Sequence, residues 1–173
     1  MVSLATSTLT FRQATQDITF ENSNGSAQMK NIQLGLAGEK TTTVGDTLLT
    51  THLGSGSIEV YATPAMIALI ESAAVAAIDS LLPEAQASVG IALNVKHLAA
   101  TPPGQQVWAR AEVIGVDGRE VTFKVQAWDE HELIGEGTHT RYVIDVARFV
   151  ERAQSKLDTG AFASGDSSDP AQT

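Results

Sequence analysis

The hydrophobic pattern changes period twice along the chain. Residues 1–29 are rich in Ser, Thr, Gln and Asn, with scattered apolar positions such as Phe11, Ile18 and Phe20. Residues 9–20 have the makings of an edge strand, but the composition reads better as a disordered leader. Between residues 32 and 49 short apolar pairs alternate with Thr, a β-leaning composition interrupted by Gly35, Gly38 and Gly45. The run His52-Leu53-Gly54-Ser55-Gly56-Ser57 predicts a flexible loop, followed by a short extended piece over residues 58–61. Residues 62–82 then form a nearly unbroken apolar stretch closed by Pro83. Thr63 is placed as an N-cap, since its side-chain oxygen can accept from a first-turn N–H. Pro64 suits the first helical position. Glu71 is the only ionisable residue between Ala65 and Ile78. At 100° per residue it falls beside Ile67, Ala74, Val75 and Ile78, on an apolar side. The length nearly suffices to cross a bilayer, but an Ala-rich centre carrying a carboxylate argues for a buried central helix instead.

Beyond Pro83 the period becomes two. Val89, Ile91, Leu93, Val95 and His97 fall on one face of a strand, and Gly90, Ala92, Asn94 and Lys96 on the other. Thr101-Pro102-Pro103-Gly104 turns the chain. Val107, Ala109, Ala111 and Val113 alternate toward Asp117-Gly118, a strong hairpin signal. Val121, Phe123, Val125 and Ala127 form the return strand, residues 129–132 turn again, and residues 133–145 read as a last strand. Residues 146–157 predict a short charged helix, and residues 158–173 a flexible tail. The expected domain is residues 30–157, of class α+β: a curved antiparallel sheet wrapped around one long central helix, the only element able to cover its apolar face. One open sheet edge and a single covering helix predict a homodimer.

Composition narrows the function. The chain has 173 residues, 43% of them hydrophobic, a formal net charge of −9 and no cysteine. One domain with a real core is expected. The negative charge argues against a partner nucleic acid, although a local basic pocket for an anion is compatible with it. Thiolate chemistry and zinc–sulfur sites are excluded. With no basic segment followed by an apolar core near the start, the expected location is cytoplasmic. Four scattered histidines lack metal-ligand spacing, so no metal is expected.

Two polar groups, Glu71 and His97, aim at the core, and Thr63 stands at the helix start. Glu71 is either a boundary acid that reaches water or an arginine, or a functional carboxylate, since burying one is costly without a partner. His97 ends a strand with its ring toward the helix, as a structural histidine or as a base. Thr63 is a simple cap, or it places a hydroxyl and free helix amides where an oxyanion could develop. Eight helical residues separate Thr63 from Glu71, about 12 Å along the axis. An imidazole bridging the two requires Glu71 to lean toward the helix N-terminus, within one chain or across a dimer. His139 and Arg141 share a face of the last strand. Arg141 has four readings: partner of Glu71, orienting group, phosphate ligand, or plain surface or interface arginine.

The residues Ala62-Thr63-Pro64-Ala65-Met66-Ile67-Ala68-Leu69-Ile70-Glu71, Ser88-Val89-Gly90, Lys96-His97-Leu98-Ala99-Ala100-Thr101-Pro102-Pro103-Gly104 and Ile134-Gly135-Glu136-Gly137-Thr138-His139-Thr140-Arg141 together resemble the fluoroacetyl-CoA thioesterase-like hot-dog family. The similarity covers about residues 30–150. It implies a homodimeric hot-dog fold that hydrolyses a small or medium acyl-CoA, with water as co-substrate and no cofactor beyond the CoA of the substrate. It implies Thr63, Glu71 and His97 as catalytic groups and Gly90 and Arg141 as substrate-binding residues. Family members carry aromatic lid residues before the threonine. Here that segment is Leu53-Gly54-Ser55-Gly56-Ser57, with Ser57 as the substrate-side candidate and no Phe. The resemblance therefore carries thioesterase chemistry further than it carries a fluorinated substrate. The alternative expectation is a non-catalytic hot-dog module that binds an acyl-CoA or another small apolar ligand.

Overall fold

A computed structural model describes residues 31–158. The expected leader over residues 1–29 and nearly all of the expected tail lie outside that range. Five strands, β1 (Ala37–Thr43), β2 (Gln86–His97), β3 (Gln106–Asp117), β4 (Glu120–Asp129) and β5 (Leu133–Asp145), form one antiparallel sheet in the order β1-β3-β4-β5-β2. β3, β4 and β5 are joined by tight turns, the first a two-residue turn at Gly118-Arg119, one residue later than the expected Asp117-Gly118, with Gly118 at φ 56° and Asp117 paired to Glu120. β2 does not pair with β3, its neighbour in sequence. It lies beyond β5 and leaves one of its edges open.

Among the described residues there are three α-helices, α1 (Thr50–Leu53), α2 (Thr63–Ile78) and α3 (Val146–Asp158), and a 3₁₀ turn, Asp46–Leu48, before α1. A 3₁₀ turn, Asp79–Leu81, continues α2, so the helical stretch Thr63–Leu81 has 19 residues. It is long and apolar enough to cross a membrane by composition, but the sheet curls around it. Ala65, Met66, Leu69, Ile70, Ala73, Ala74, Ala77 and Ile78 are buried, paired positions recurring every four residues, which is a broad helical stripe. The sheet answers with Val107, Ala109, Ala111 and Val113 on β3, and Val121, Phe123, Val125 and Ala127 on β4, all buried. Ala68, Ser72 and Ala76 stay exposed on the far side of α2, so the helix is not buried all round as its composition implied.

Two further local expectations are corrected. The N-cap of α2 is Ala62, with no side-chain cap bond, and Thr63 is already helical. Its hydroxyl is engaged elsewhere. In β2 the register against β5 slips between Gly90 and Ala92, the mark of a β-bulge. Because strand side chains alternate, one extra residue reverses the faces on either side of it. Ser88 and Gly90 before the bulge, and Leu93, Val95 and His97 after it, sit opposite the inward β5 positions Val143, Arg141, His139, Gly137 and Gly135. Val89 and Ile91, expected inside, are turned to the outer face beside Tyr142 and α3.

The helix touches β1 directly at Gly38. A Cβ there would overlap the Ala73 carbonyl oxygen and lie 2.9 Å from the Ala76 carbonyl carbon, both rigid backbone. The alanines of α2 and the missing Cβ set the helix-to-sheet distance together. Gly38→Ala should therefore cost at least about 2 kcal/mol of folding stability, read as a lowered urea midpoint with an unchanged slope.

Candidate active site

Two clusters line the inner face of β2, one near each end. The first lies at the start of α2. Thr63 Oγ1 and His97 Nδ1 are 2.8 Å apart. The hydroxyl that could have capped the helix is turned onto the imidazole of the last β2 residue. His97 Nε2 is buried and makes no hydrogen bond. Burial holds the His97 pKa below its ordinary value, with the nearby Ala99 carbonyl opposing. The ring is thus neutral near pH 7 and able to accept the Thr63 proton at Nδ1. A cleft of about 320 Å³ opens against this pair, lined by Thr50, Val60, Tyr61, Thr63, His97 and Leu98 among others.

The second cluster lies two turns further along α2. Glu71 is half-buried, its side chain 38% exposed, with Oε1 3.8 Å from His139 Nε2 and 4.0 Å from Arg141 Nη1. Both separations are too long for hydrogen bonds. The carboxylate is held by charge and by packing against strand β2 at Gly90. A Cβ on Gly90 would overlap Glu71 Oε1 and sit 3.0 Å from His139 Cε1. The absence of a side chain at position 90 is what lets Glu71 lie on the strand.

His139 and Arg141 form the wall behind it. His139 is fully buried, with Nδ1 2.9 Å from the Ala92 carbonyl, which the bulge aims at it. A carbonyl only accepts, so Nδ1 carries the proton and Nε2 presents its lone pair to Arg141 Nη1 at 3.3 Å. Burial keeps this imidazole neutral, lowering its pKa. The Ala92 carbonyl opposes that effect, the Arg141 charge adds to it, and Glu71 opposes it weakly. Arg141 is 5% exposed and donates from Nε to Ser88 Oγ at 2.7 Å and from Nη2 to the Ser88 carbonyl at 2.6 Å. Burial lowers its pKa while Asp79 and Glu71 raise it, but an arginine stays charged through such shifts. So placed, Arg141 is neither a surface residue nor a phosphate ligand in solvent; it supplies a fixed positive charge beside Glu71.

Each of the expected site residues can now be located. Thr63 and His97 meet. Glu71, Gly90 and Arg141 meet. The imidazole bridge from Thr63 to Glu71 is not made within the chain: His97 bonds Thr63, and the neighbours of Glu71 are the neutral His139 and the charged Arg141. Gly90 and His97 are seven strand residues apart, roughly 20 Å. Ser57 is exposed in the loop after α1 and does not line the cleft at Thr63. That loop folds back on α1, where the Thr50 hydroxyl donates to the Ile58 carbonyl. His139 is the residue the sequence reading left without a role. Its signal was present, two residues before Arg141 on the same strand face, where alternation places it at the same cluster.

A curled five-stranded antiparallel sheet around a long helix, whose Glu71 carboxylate and Thr63 hydroxyl meet the edge strand at Gly90 and His97, defines the class: a hot-dog protein. Residues 38–147 match the family model described as FlK, fluoroacetyl-CoA-specific thioesterase. The chain is 41% identical over 102 residues to the fluoroacetyl-CoA thioesterase of Streptantibioticus cattleyicolor, covering 59% of this chain and 73% of that protein. A solved variant of the fluoroacetyl-CoA-specific thioesterase, in complex with fluoroacetate and CoA, is 36% identical, with a TM-score of 0.64 over 68% of this chain and 98% of that one. A hot-dog-like protein from Thermanaerovibrio acidaminovorans shares the fold at 24% identity, with a TM-score of 0.68 over 77% and 97% of the two chains. The chain belongs to the fluoroacetyl-CoA-specific thioesterase family, and it is a thioester hydrolase of the hot-dog class.

Gly90 provides a direct check on the second cluster. Gly90→Ala places a methyl group where Glu71 Oε1 now lies, and the end of a flexible side chain is what must give way. The expected outcome is a fall in kcat of about a hundredfold with the thermal midpoint nearly unchanged. Wild-type turnover in the Gly90→Ala protein would show that the carboxylate need not rest on the strand.

Proposed function

We propose that the protein hydrolyses the thioester of a small or medium acyl-CoA to the free acid and CoA, with Glu71, Thr63 and His97 as its catalytic groups. The observation that carries this reading is the state of Glu71: a carboxylate beside a buried guanidinium, with no hydrogen bond of its own among the described residues. Its lone pairs are free to act. Glu71 delivers the oxygen nucleophile, either its own oxygen or that of a water it deprotonates. Addition to the carbonyl carbon gives a tetrahedral intermediate, the C–S bond breaks, and the CoA sulfur leaves with a proton. On the direct route, water then hydrolyses the mixed anhydride. On the water route the proton that Glu71 takes passes to the sulfur; on the direct route the Thr63 hydroxyl donates to it, and His97, 2.8 Å from that hydroxyl, takes a proton from the water that hydrolyses the anhydride and returns it to Thr63.

The two clusters are too far apart to act together in one chain, and the open edge of β2 offers the solution. Ile91 and Leu93 on that edge are 52% and 41% exposed, an apolar strand that calls for a partner. We infer that two copies pair antiparallel along β2. A two-fold axis near Leu93–Asn94, midway between Gly90 and His97, sets Gly90 of one protomer against His97 of the other. Glu71 of one chain then faces Thr63 and His97 of its partner, and each dimer holds two composite sites. The relative solved with fluoroacetate and CoA supports a short acyl group. Leu53 to Ser57 places no aromatic ring near the mouth, so the proposed substrates extend beyond fluoroacetyl-CoA to other short and medium acyl groups.

Thiol release over a panel of short, branched and aromatic acyl-CoAs tests the proposal. Turnover of at least one short or medium member is expected, and Glu71→Gln and His97→Ala should each lose about a thousandfold in kcat while remaining folded. Tight binding without free CoA would instead favour a binding module. The pH profile checks the role of His97. Because burial lowers its pKa, the ring stays neutral to lower pH than a free histidine. The kcat/KM profile should be level above about pH 6.5 and fall only below it. A histidine-dependent acid limb centred above pH 6.5 would contradict this role.

A further inference from the structure

Arg141 is held from behind by two residues to which neither the catalytic proposal nor the family resemblance gives a role. Ser88 takes two of its donors, Nε through the hydroxyl oxygen and Nη2 through the carbonyl. The Ser88 hydroxyl has one proton, and it goes to Asp79 Oδ1 at 2.5 Å, while the Ser88 amide reaches Asp79 Oδ2 at 3.4 Å. Asp79 closes α2, eight residues after Glu71 on the same helical stretch. The connections therefore form a closed loop: from Glu71 along the helix to Asp79, through Ser88 on β2 to Arg141 on β5, and back to Glu71 across 4.0 Å. Such a loop fixes both the rotation of α2 over the sheet and the position of the guanidinium. Those are the two coordinates that decide where the Glu71 carboxylate lies. It also sets a carboxylate on each side of a buried cation, which lessens the cost of burying it.

We propose that Asp79 and Ser88 are positioning residues for Glu71, acting through Arg141. The proposal rests on Glu71 being the catalytic carboxylate and adds how that carboxylate is aimed. A cation one step out of place leaves Glu71 free to swing toward solvent, and displacements of about 1 Å in a catalytic group cost on the order of a hundredfold. Substrate binding should suffer less, because neither Asp79 nor Ser88 lines the cleft at Thr63.

The test measures kcat, KM and thermal midpoint for Asp79→Ala, Asp79→Asn, Ser88→Ala and Glu71→Gln in the full chain. Asp79→Ala and Ser88→Ala should each lower kcat ten- to a hundredfold with KM within about twofold. The double variant should be no worse than either single, since both act along one path. Asp79→Asn keeps an acceptor for the Ser88 hydroxyl and should restore kcat to within about threefold of wild type, a rescue that a purely structural loss would not give. Should Ser88→Ala fail to fold, the half-buried Asp79 pair gives the same reading. If Glu71→Gln is inactive while Asp79→Ala and Ser88→Ala keep wild-type kcat, or lose only thermal stability, the positioning role is overturned and the catalytic reading survives. If Glu71→Gln itself keeps activity, the catalytic reading falls first.

Discussion

The structure depends on keeping one carboxylate close to a buried cation without letting the two neutralise each other through a hydrogen bond. Glu71 stands 4.0 Å from Arg141, near enough to feel the charge and too far to surrender a lone pair. A tight bidentate salt bridge would be geometrically stronger but would occupy the oxygens that the proposed reaction uses. The guanidinium is restrained by Ser88 and His139, so it cannot move forward to close the gap. Gly90 leaves room for the acid to lie on the strand.

Several features of the fold serve this arrangement. Small residues on α2 and the bare backbone of Gly38 bring the helix onto the sheet. The bulge after Gly90 turns the Ala92 carbonyl onto His139 Nδ1, which fixes the tautomer and leaves Nε2 to receive Arg141. The same bulge puts Gly90 and His97 on one face of β2, although they are an odd number of residues apart. Without it, one of the two clusters would point to the outer surface.

Much of this was legible in the sequence. The period-two runs of β3, β4 and β5, the Asp117-Gly118 turn signal and the long apolar helix fix the fold class through local rules. The lone acid in that helix and the histidine at the end of β2 were visible as chemistry in an apolar setting. Other features were not legible, for physical reasons. A bulge has no reliable composition, so strict alternation put Val89 and Ile91 inside. Thr63 follows the preferences of a cap, and only the tertiary position of His97 draws its hydroxyl away. The Asp79–Ser88–Arg141 connection joins three distant segments, and no spacing rule links a helix end to two strands. The expected single bridge from Thr63 to Glu71 assumed one imidazole within reach of both. The length of β2 between Gly90 and His97 prevents that in one chain.

The central claim is that Glu71 works with the Thr63–His97 pair of a second protomer. Subunit complementation tests it most directly. Inactive Glu71→Gln and His97→Ala proteins are unfolded together, refolded as an equal mixture and assayed for thiol release. With composite sites, half of the dimers pair one chain of each kind, and one of their two sites combines an intact Glu71 with an intact His97. Activity should return to about a quarter of wild type. If every site lies within a single chain, each chain carries a broken site and the mixture stays as inactive as its components, which would contradict the account.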